Sequence, residues 1–540
     1  MKNKITLRFE PAGQTCQTDP HTTIMDAARS LDIPMRTDCG GNGTCGKCRV
    51  FVDEPGHFSE RTSVEKKHLA PAGADPHDRL ACQAEIRAAA VVTIAAPETD
   101  PSPISTKTRI TRSFHVSSPY AGSGAPCLGV AVDIGTTTLA VYLCDFKTGT
   151  VLLSGAAANP QRTYGEDVLS RITTVREDPG NLFLLNRLAV SEINALISAL
   201  LADTGYASSD VKDVTLAGNT TMQHIFARLS PADIGVHPYQ PFTFSAVETD
   251  AGKTGLALEE QTPVYIFPVI SGFLGGDILA AFLADQSHKR PETTLIVDIG
   301  TNGELMLCTG SGLWAASCAT GPALEGAQIS SGMRAQPGAV SKVFIDPEKT
   351  DQIQVKTIMD RPPVGICGSG IIDALAMMRR LGIIHENGTF NTDVPGMEPT
   401  PDGTCKKFRL PGCPFHITLK DIRQIQLAKA ALHVGIDALI KESGAGKIDR
   451  TILTGAFGAS FDLENAVAIG MLPGTIAKGR LFAKNNLAGN GTIAALFDKG
   501  LRREIETLAG QVNTLELNSL PDFTLRFAAA TRFPTLSEVL

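Results

Sequence analysis

Residues 3–9 alternate polar and apolar positions, with Ile5, Leu7 and Phe9 on one side, and so predict a half-buried strand. Pro11-Ala12-Gly13 reads as a turn, and Gln14 to Thr18 as the returning hairpin partner. Thr23 opens a helical stretch, TIMDAARSLD, with Asp26 at the third helical position in the manner of a capping box. A loop rich in cysteine and glycine follows, and CRVFVD (48–53) and VVTIAA (91–96) read as further strands. This order predicts a compact first domain over residues 1–97. Residues 98–126 are rich in Ser, Thr and Pro and show no period, which predicts a flexible linker.

Beyond residue 126 the pattern echoes itself. LGVAVDIGTTTLAVYLC (128–144) and TLIVDIGTNGELMLC (294–308) each place an apolar strand, the residues Asp-Ile-Gly-Thr and a second apolar strand in the same order. The repeat is far too long for a solenoid and predicts a duplicated α/β lobe, one copy over 127–290 and the other over 291–540. Helix-period stretches lie between and after the copies: GEDVLSRI (165–172), LNRLAVSEINALISALLAD (185–203), GGDILAAFLAD (275–285) and LAKAALHVGIDALIKES (427–443).

Composition narrows the class. The 540 residues are 43% apolar and 19% charged with a net charge of −7, ordinary for a chain that buries a large core. A mildly acidic chain without a basic tract argues against nucleic acid or an anionic membrane as the main partner. The first residues lack the apolar run of a signal peptide, and no uninterrupted apolar run approaches about 18 residues. These features predict a soluble, cytoplasmic protein.

The twelve cysteines are too few for a disulfide scaffold, but four are spaced for a cofactor. Cys39, Cys45 and Cys48 stand in C-x5-C-x2-C spacing, and Cys82 follows in RLACQ. Four thiolates so spaced suit a [2Fe–2S] cluster, two of them at C-x2-C binding one iron edge. The intervening glycines let backbone N–H groups approach the sulfides. A structural zinc site is the alternative, but zinc ribbons show two short cysteine pairs and Cys82 stands alone. The overlapping glycine pattern mimics a dinucleotide fingerprint and a P-loop, and fails both on context, since Cys48 replaces the Ser or Thr that would hold Mg²⁺.

The duplicated turns carry the second candidate site. Gly135, Thr136, Thr137 and Thr138 in the first, and Gly300, Thr301, Asn302 and Gly303 in the second, expose N–H groups and hydroxyls suited to phosphate oxygens. Asp133 and Asp298, just before them, can hold Mg²⁺ through water or orient an attacking nucleophile. In TILTGAFGASFD (451–462), the small turn Gly455-Ala456-Phe457-Gly458 between a strand and a helix start suits packing on a base and ribose. Asp277 and Asn465 fall where helices joining the lobes would begin, as cleft residues or as helix caps. Glu304 is either a second acid of the site or the polar face of its strand.

These motifs resemble the superfamily of acetate kinases, sugar kinases, actin and its related chaperones, whose two ribonuclease-H-like lobes enclose ATP. More closely, the chain resembles the reductive activators of corrinoid proteins, in which a [2Fe–2S] ferredoxin domain precedes this ATPase fold. Further segments carry the likeness: NPQRTYGEDVLSRI (159–172), GNTTMQHIF (218–226), ATGPALEGAQISSGMRAQPGAV (319–340), GICGSGIIDAL (365–375) and LPDFTLRFAAATRFP (520–534). The resemblance implies a multidomain α/β chain: an N-terminal β-grasp [2Fe–2S] ferredoxin-like domain, then a duplicated ribonuclease-H-like, actin-like ATPase domain of two lobes. The segment between ferredoxin and ATPase is short beside relatives that carry an additional linker domain. The implied activity is ATP-dependent reduction of an inactive Co(II) corrinoid protein to Co(I) by one electron. The implied cofactors are the [2Fe–2S] cluster, ATP and Mg²⁺. The implied partners are a corrinoid protein of a methyltransferase system, an upstream low-potential electron donor and a second copy of the chain as homodimer. Two other readings share parts of the pattern. One is an electron activator of a 2-hydroxyacyl-CoA dehydratase or benzoyl-CoA reductase, in which the cluster cysteines lie within the ATPase part. The other is a nucleotide-binding redox sensor that performs no reduction.

Overall fold

The structure, a computed structural model, describes residues 4–31, 33, 35, 41–43, 46, 48–69, 75–94, 116–117, 126–300, 302–326, 328–346, 349–400, 406–455 and 462–535. Its first sheet is mixed and five-stranded, in the order Gln14–Thr18, Ile5–Glu10, Ala90–Ile94, Arg49–Val52, Asp78–Leu80. The hairpin is antiparallel, and its first strand runs parallel to Ala90–Ile94. The helix Ile24–Arg29 starts at Thr23, whose Oγ1 accepts from the Asp26 N–H at 3.1 Å, the cap expected from sequence. Its apolar face, with Ile24, Met25, Ala27 and Ala28, closes a core with Leu7, Phe9, Val50 and Val92. A helix grasped by a mixed sheet is the β-grasp arrangement of ferredoxins.

The duplication inferred from the two Asp-Ile-Gly-Thr segments is present in the sheets. In each of two six-stranded sheets the strand leading into that segment is central: Leu128–Ile134 in lobe 1 and Thr294–Ile299 in lobe 2. Each pairs antiparallel with the following strand, Thr138–Asp145 or Gly303–Thr309. Each also pairs parallel with a strand from much later in the chain, Val211–Gly218 or Arg450–Gly455. Two smaller three-stranded sheets are inserted in lobe 2.

The helices Gly276–Asp285 and Leu487–Phe497 lie between the lobes. They carry Ile278, Leu279, Phe282 and Leu487 into a core that also takes Tyr265 and Phe267 from lobe 1 and Ile296, Met306 and Ile452 from lobe 2. Burial of these apolar faces joins the lobes into one body. A buried ion pair ties the end of the helix Gly276–Asp285 to lobe 2. Arg450 donates from Nη1 and Nη2 to the two carboxylate oxygens of Asp285, both at 3.1 Å, and Lys484 adds a third contact at 2.8 Å. Burial pulls the Asp285 carboxyl up, but these donors prevail and hold it well below the usual carboxylate range.

The helix Asn181–Thr204 is long and apolar enough to cross a membrane by length and composition. Leu185, Ala189, Ile193, Leu196 and Ile197 are instead buried in the core of lobe 1, which makes it a core helix. In the stretch read as linker, the N–H of Ser117 donates to the Phe497 carbonyl at 3.1 Å, and its hydroxyl bonds Asp498. The chain entering lobe 1 is therefore tied to the helix between the lobes.

Candidate functional site

The cluster site is built from two adjacent strands. Cys48 immediately precedes Arg49–Val52 and Cys82 closely follows Asp78–Leu80, and these strands pair antiparallel through Arg49 and Leu80. The Ala81 N–H donates to the Cys48 carbonyl at 2.8 Å, which brings the two sulfurs to 3.4 Å, far beyond the roughly 2.05 Å of a disulfide. Among the described residues the two candidate ligand sulfurs brought together are therefore those of Cys48 and Cys82, across strands. The local Cys-x2-Cys pair of the sequence reading cannot be compared, since Cys39 and Cys45 lie outside the described residues.

Beneath Cys82, Arg79 donates to both oxygens of Glu65 at 2.8 and 3.1 Å, and the Leu80 N–H donates to the same carboxylate. Burial raises the Glu65 carboxyl, yet these donors hold it below its ordinary value, so a charged pair anchors the loop that carries Cys82. Gly43 and Gly46 have positive φ, and a Cβ on Gly46 would lie 2.7 Å from the His68 ring. Only glycine fits at these left-handed positions against the Gln83 and His68 side chains, and two unbridged cysteine sulfurs 3.4 Å apart are a donor pair that fits a [2Fe–2S] cluster.

Each candidate phosphate turn is closed by its glycine N–H, Gly135 to Thr138 O three residues on and Gly300 to Asn302 O two residues on, both at 3.0 Å. The first turn is braced by residues from the segments 159–172 and 218–226, to which the sequence assigned no individual role. Asn159 donates from Nδ2 to the Gly135 carbonyl at 2.8 Å and from its N–H to the Thr137 carbonyl at 2.9 Å. Asn219 caps the helix Thr220–Phe226 and donates to the Thr136 hydroxyl at 2.8 Å. Arg171, fully buried, reaches the Thr136 carbonyl at 2.5 Å and the Gly165 carbonyl at 2.9 Å. With its carbonyls thus engaged and the Gly135 N–H spent on Thr138, the turn is held in one shape. Gly303 begins the strand after the second turn, and Thr301 lies outside the described residues. Gly455 ends its strand at φ +97°, and a Cβ there would lie 2.4 Å from the Ile299 carbonyl, so only glycine lets this strand end approach the second turn. Ala456, Phe457 and Gly458 lie outside the described residues.

Between the turns four carboxylates converge: Asp133 from lobe 1, Asp298 and Glu304 from lobe 2, and Asp277 from the first turn of the helix Gly276–Asp285. Burial, then repulsion from Asp277, pushes Asp133 up to about 7; burial, then Asp277 and Asp133, pushes Asp298 up to about 8. Asp277 and Glu304 hydrogen-bond each other and are both raised, burial being the larger cause. Glu304 Oε2 is buried without a hydrogen-bond partner. So Glu304 belongs to this acid cluster, and Asp277 does too; the cap of its helix is Gly275. Asn465 turns elsewhere, donating to Asp373 Oδ1 at 2.7 Å. Asn486 was missed in the sequence. It caps the helix Leu487–Phe497, bonds the Tyr142 hydroxyl at 2.8 Å and, by its hydrogen bond, partly offsets the rise of Asp133.

Mutually repelling, desolvated carboxylates beside two phosphate turns are the donor set a Mg²⁺–phosphate complex relieves. Among the described residues no group of three or more of these side chains is placed to hold a metal ion by itself.

A ferredoxin-like domain with paired cysteines, joined to a two-lobed ATPase of the actin-like fold, defines an ATP-dependent reductase. Family models agree along the chain: the 2Fe-2S iron-sulfur cluster binding domain matches residues 7–87, the RACo middle region 128–290, and the C-terminal domain of RACo, the ASKHA domain, 292–539. The corrinoid activation enzyme RamQ of Eubacterium limosum is 28% identical, over 94% of this chain and 96% of its own. The [Co(II) methylated amine-specific corrinoid protein] reductase of Methanosarcina barkeri is also 28% identical, over 67% of this chain and 68% of its own. A solved structure of a reductive activator for corrinoid, iron-sulfur protein superposes with a TM-score of 0.69 at 27% identity, covering 98% of both chains. The chain belongs to the family of reductive activators of corrinoid proteins.

Proposed function

We propose that this protein returns an inactive Co(II) corrinoid protein to Co(I), one electron per event, with ATP binding and hydrolysis driving the transfer. The observation that carries this reading is the full-length likeness to corrinoid activators in a chain that holds both a cluster site and a phosphate site. One electron enters from an external low-potential donor and one leaves to cobalt, so the cycle balances. When bound, the cluster supplies a one-electron carrier and Mg²⁺ supplies positive charge to the phosphates.

Cys39, Cys45, Cys48 and Cys82 hold the cluster. The turns Gly135 to Thr138 and Gly300 to Gly303 cradle the phosphates, with the Gly135 and Gly300 N–H groups closing the turns rather than reaching the ligand. Asp133 and Asp298 orient the hydrated cation or the attacking water, with Asp277 and Glu304 behind them, and the Gly455 to Gly458 turn faces the base. Plant-type clusters lie near about −400 mV, and every shortfall of about 59 mV costs tenfold in a one-electron equilibrium. ATP closes such a gap when the nucleotide-bound form binds the corrinoid partner in a more reducible state, and hydrolysis then releases it. The enzyme works as a cytoplasmic homodimer with domains at residues 1–97, 127–290 and 291–540. The test follows the Co(II) EPR signal of a corrinoid protein mixed with the reduced enzyme. The signal should disappear with ATP and wild-type protein, and persist with Asp298→Asn. Equal loss of signal without ATP would show that the ATPase drives nothing.

A further inference from the structure

Arg29, the last residue of the helix Ile24–Arg29, faces both functional halves of the molecule. On one side its guanidinium lies 3.5 Å from where a Cβ on Gly41 would sit, so it borders the loop that carries the cluster cysteines. On the other it makes a long contact of 3.4 Å from Nη2 to the Thr163 carbonyl and lies 5.1 Å from the Tyr164 ring centroid, a cation–π distance. Tyr164 is itself buried.

Thr163 and Tyr164 end the short helix Pro160–Tyr164, and this helix is held at both ends by the groups that brace the first phosphate turn. Asn159, its cap, binds Gly135 and Thr137. Gly165, the residue after it, is gripped by Arg171, whose guanidinium also reaches the Thr136 carbonyl. Arg171 further fixes Gln161 inside the helix at 3.0 Å. A single five-residue element thus joins the cluster loop, through Arg29, to the turn that receives phosphate.

The geometry points to Arg29 as a coupling residue, positioning the ferredoxin domain on the helix Pro160–Tyr164 so that nucleotide at the first phosphate turn and the redox state of the cluster are thermodynamically linked. This rests on the reading that cluster and ATP site serve one reaction, and it names the contact through which they communicate. Nucleotide at the turn acts on the short helix through Asn159 and Arg171, and the short helix, together with Asp26 at 3.6 Å, sets where the Arg29 guanidinium stands beside the cluster loop. Positive charge favours the more negative, reduced cluster. Linkage is reciprocal: nucleotide raises the midpoint potential by the same free energy by which reduction tightens nucleotide binding.

The experiment needs no corrinoid protein, so failure of the corrinoid reading leaves it intact. The full-length protein with its cluster is titrated through its visible absorption, with and without Mg²⁺ and a non-hydrolysable ATP analogue. Nucleotide affinity is measured in both redox states. In the wild type we expect at least threefold tighter binding to the reduced form, a rise of about 28 mV at about 59 mV per tenfold for one electron. Arg29→Ala and Tyr164→Leu, on opposite sides of the contact, should each abolish the shift while the protein still binds nucleotide. Their double variant should add nothing, and Arg29→Lys should restore part of it. If Arg29→Ala loses its cluster, Tyr164→Leu carries the test from the other domain. No shift in the wild type, or a full shift in Tyr164→Leu, overturns the proposal.

Discussion

Asp298→Asn separates what the carboxylate cluster costs the fold from what it gives the reaction. Burial and its acidic neighbours raise the Asp298 carboxyl from 3.8 to about 8. A carboxyl raised on folding binds its proton more tightly in the native state. Its contribution is therefore fully present below pH 3.8 and is lost as pH rises toward 8. At 1.36 kcal/mol per unit, the loss between 3.8 and pH 7 is about 4 kcal/mol. Asn is neutral throughout and lifts that penalty, but Asp133 and Asp277 share the repulsion and relax with it, so we expect a gain on the order of 2 kcal/mol. The assay is thermal unfolding of the nucleotide-free protein in a chelator at pH 6, 7 and 8, beside ATP turnover with Mg²⁺. The variant should melt a few degrees higher, by a margin that widens with pH, and should lose at least 99% of turnover, on the scale of one lost electrostatic contact in catalysis. A variant no more stable than wild type at pH 8, or one that hydrolyses ATP normally, refutes the reasoning.

Three further outcomes are expected. Cys82→Ser should lose the bound iron and the visible absorption while ATP binding, measured by calorimetry, stays at wild-type strength; retention of the full spectrum would exclude Cys82 as a ligand. Gly455→Ala places a Cβ 2.4 Å from the Ile299 carbonyl and should weaken ATP binding at least tenfold, about 1.4 kcal/mol, leaving the cluster spectrum unchanged; undiminished affinity in the same calorimetric assay would remove this turn from the site. Arg450→Leu leaves the buried Asp285 with Lys484 and the Ser287 hydroxyl and should cost about 3 kcal/mol in denaturant unfolding; a change below about 1 kcal/mol would mean that these two suffice.

The parts of the fold written in local pattern were legible in the sequence. Alternation at Ile5, Leu7 and Phe9, the Thr23–Asp26 cap and the two Asp-Ile-Gly-Thr segments each state their structure within a few residues. What joins those pieces was not local. The parallel partners Val211–Gly218 and Arg450–Gly455 arrive from 77 and 151 residues beyond the strands they pair with, and no period announces them. Asp277 was ambiguous because an acid in a helix's first turn commonly serves the helix dipole, and only its neighbours Asp133, Asp298 and Glu304 give it another setting. Asn465 carried the same ambiguity and turned to Asp373 instead. Arg171 lies in a helix-period stretch to which the sequence assigned no role for this residue; its burial against the first turn is a tertiary fact. The approach of Cys48 to Cys82 follows from the pairing of Arg49 with Leu80, which spacing along the chain does not encode.

The central claim is tested most directly by anaerobic reduction of a Co(II) corrinoid protein. The purified protein, with its cluster intact and a low-potential reductant present, is incubated with corrinoid proteins from the same genome, with and without ATP, while the Co(I) absorption band is followed. The account predicts Co(I) from at least one of them only when ATP is present, and none when the Cys82→Ser variant replaces the wild type. Equal Co(I) formation without ATP, or none from any corrinoid protein despite an intact cluster spectrum and measurable ATP binding, contradicts it.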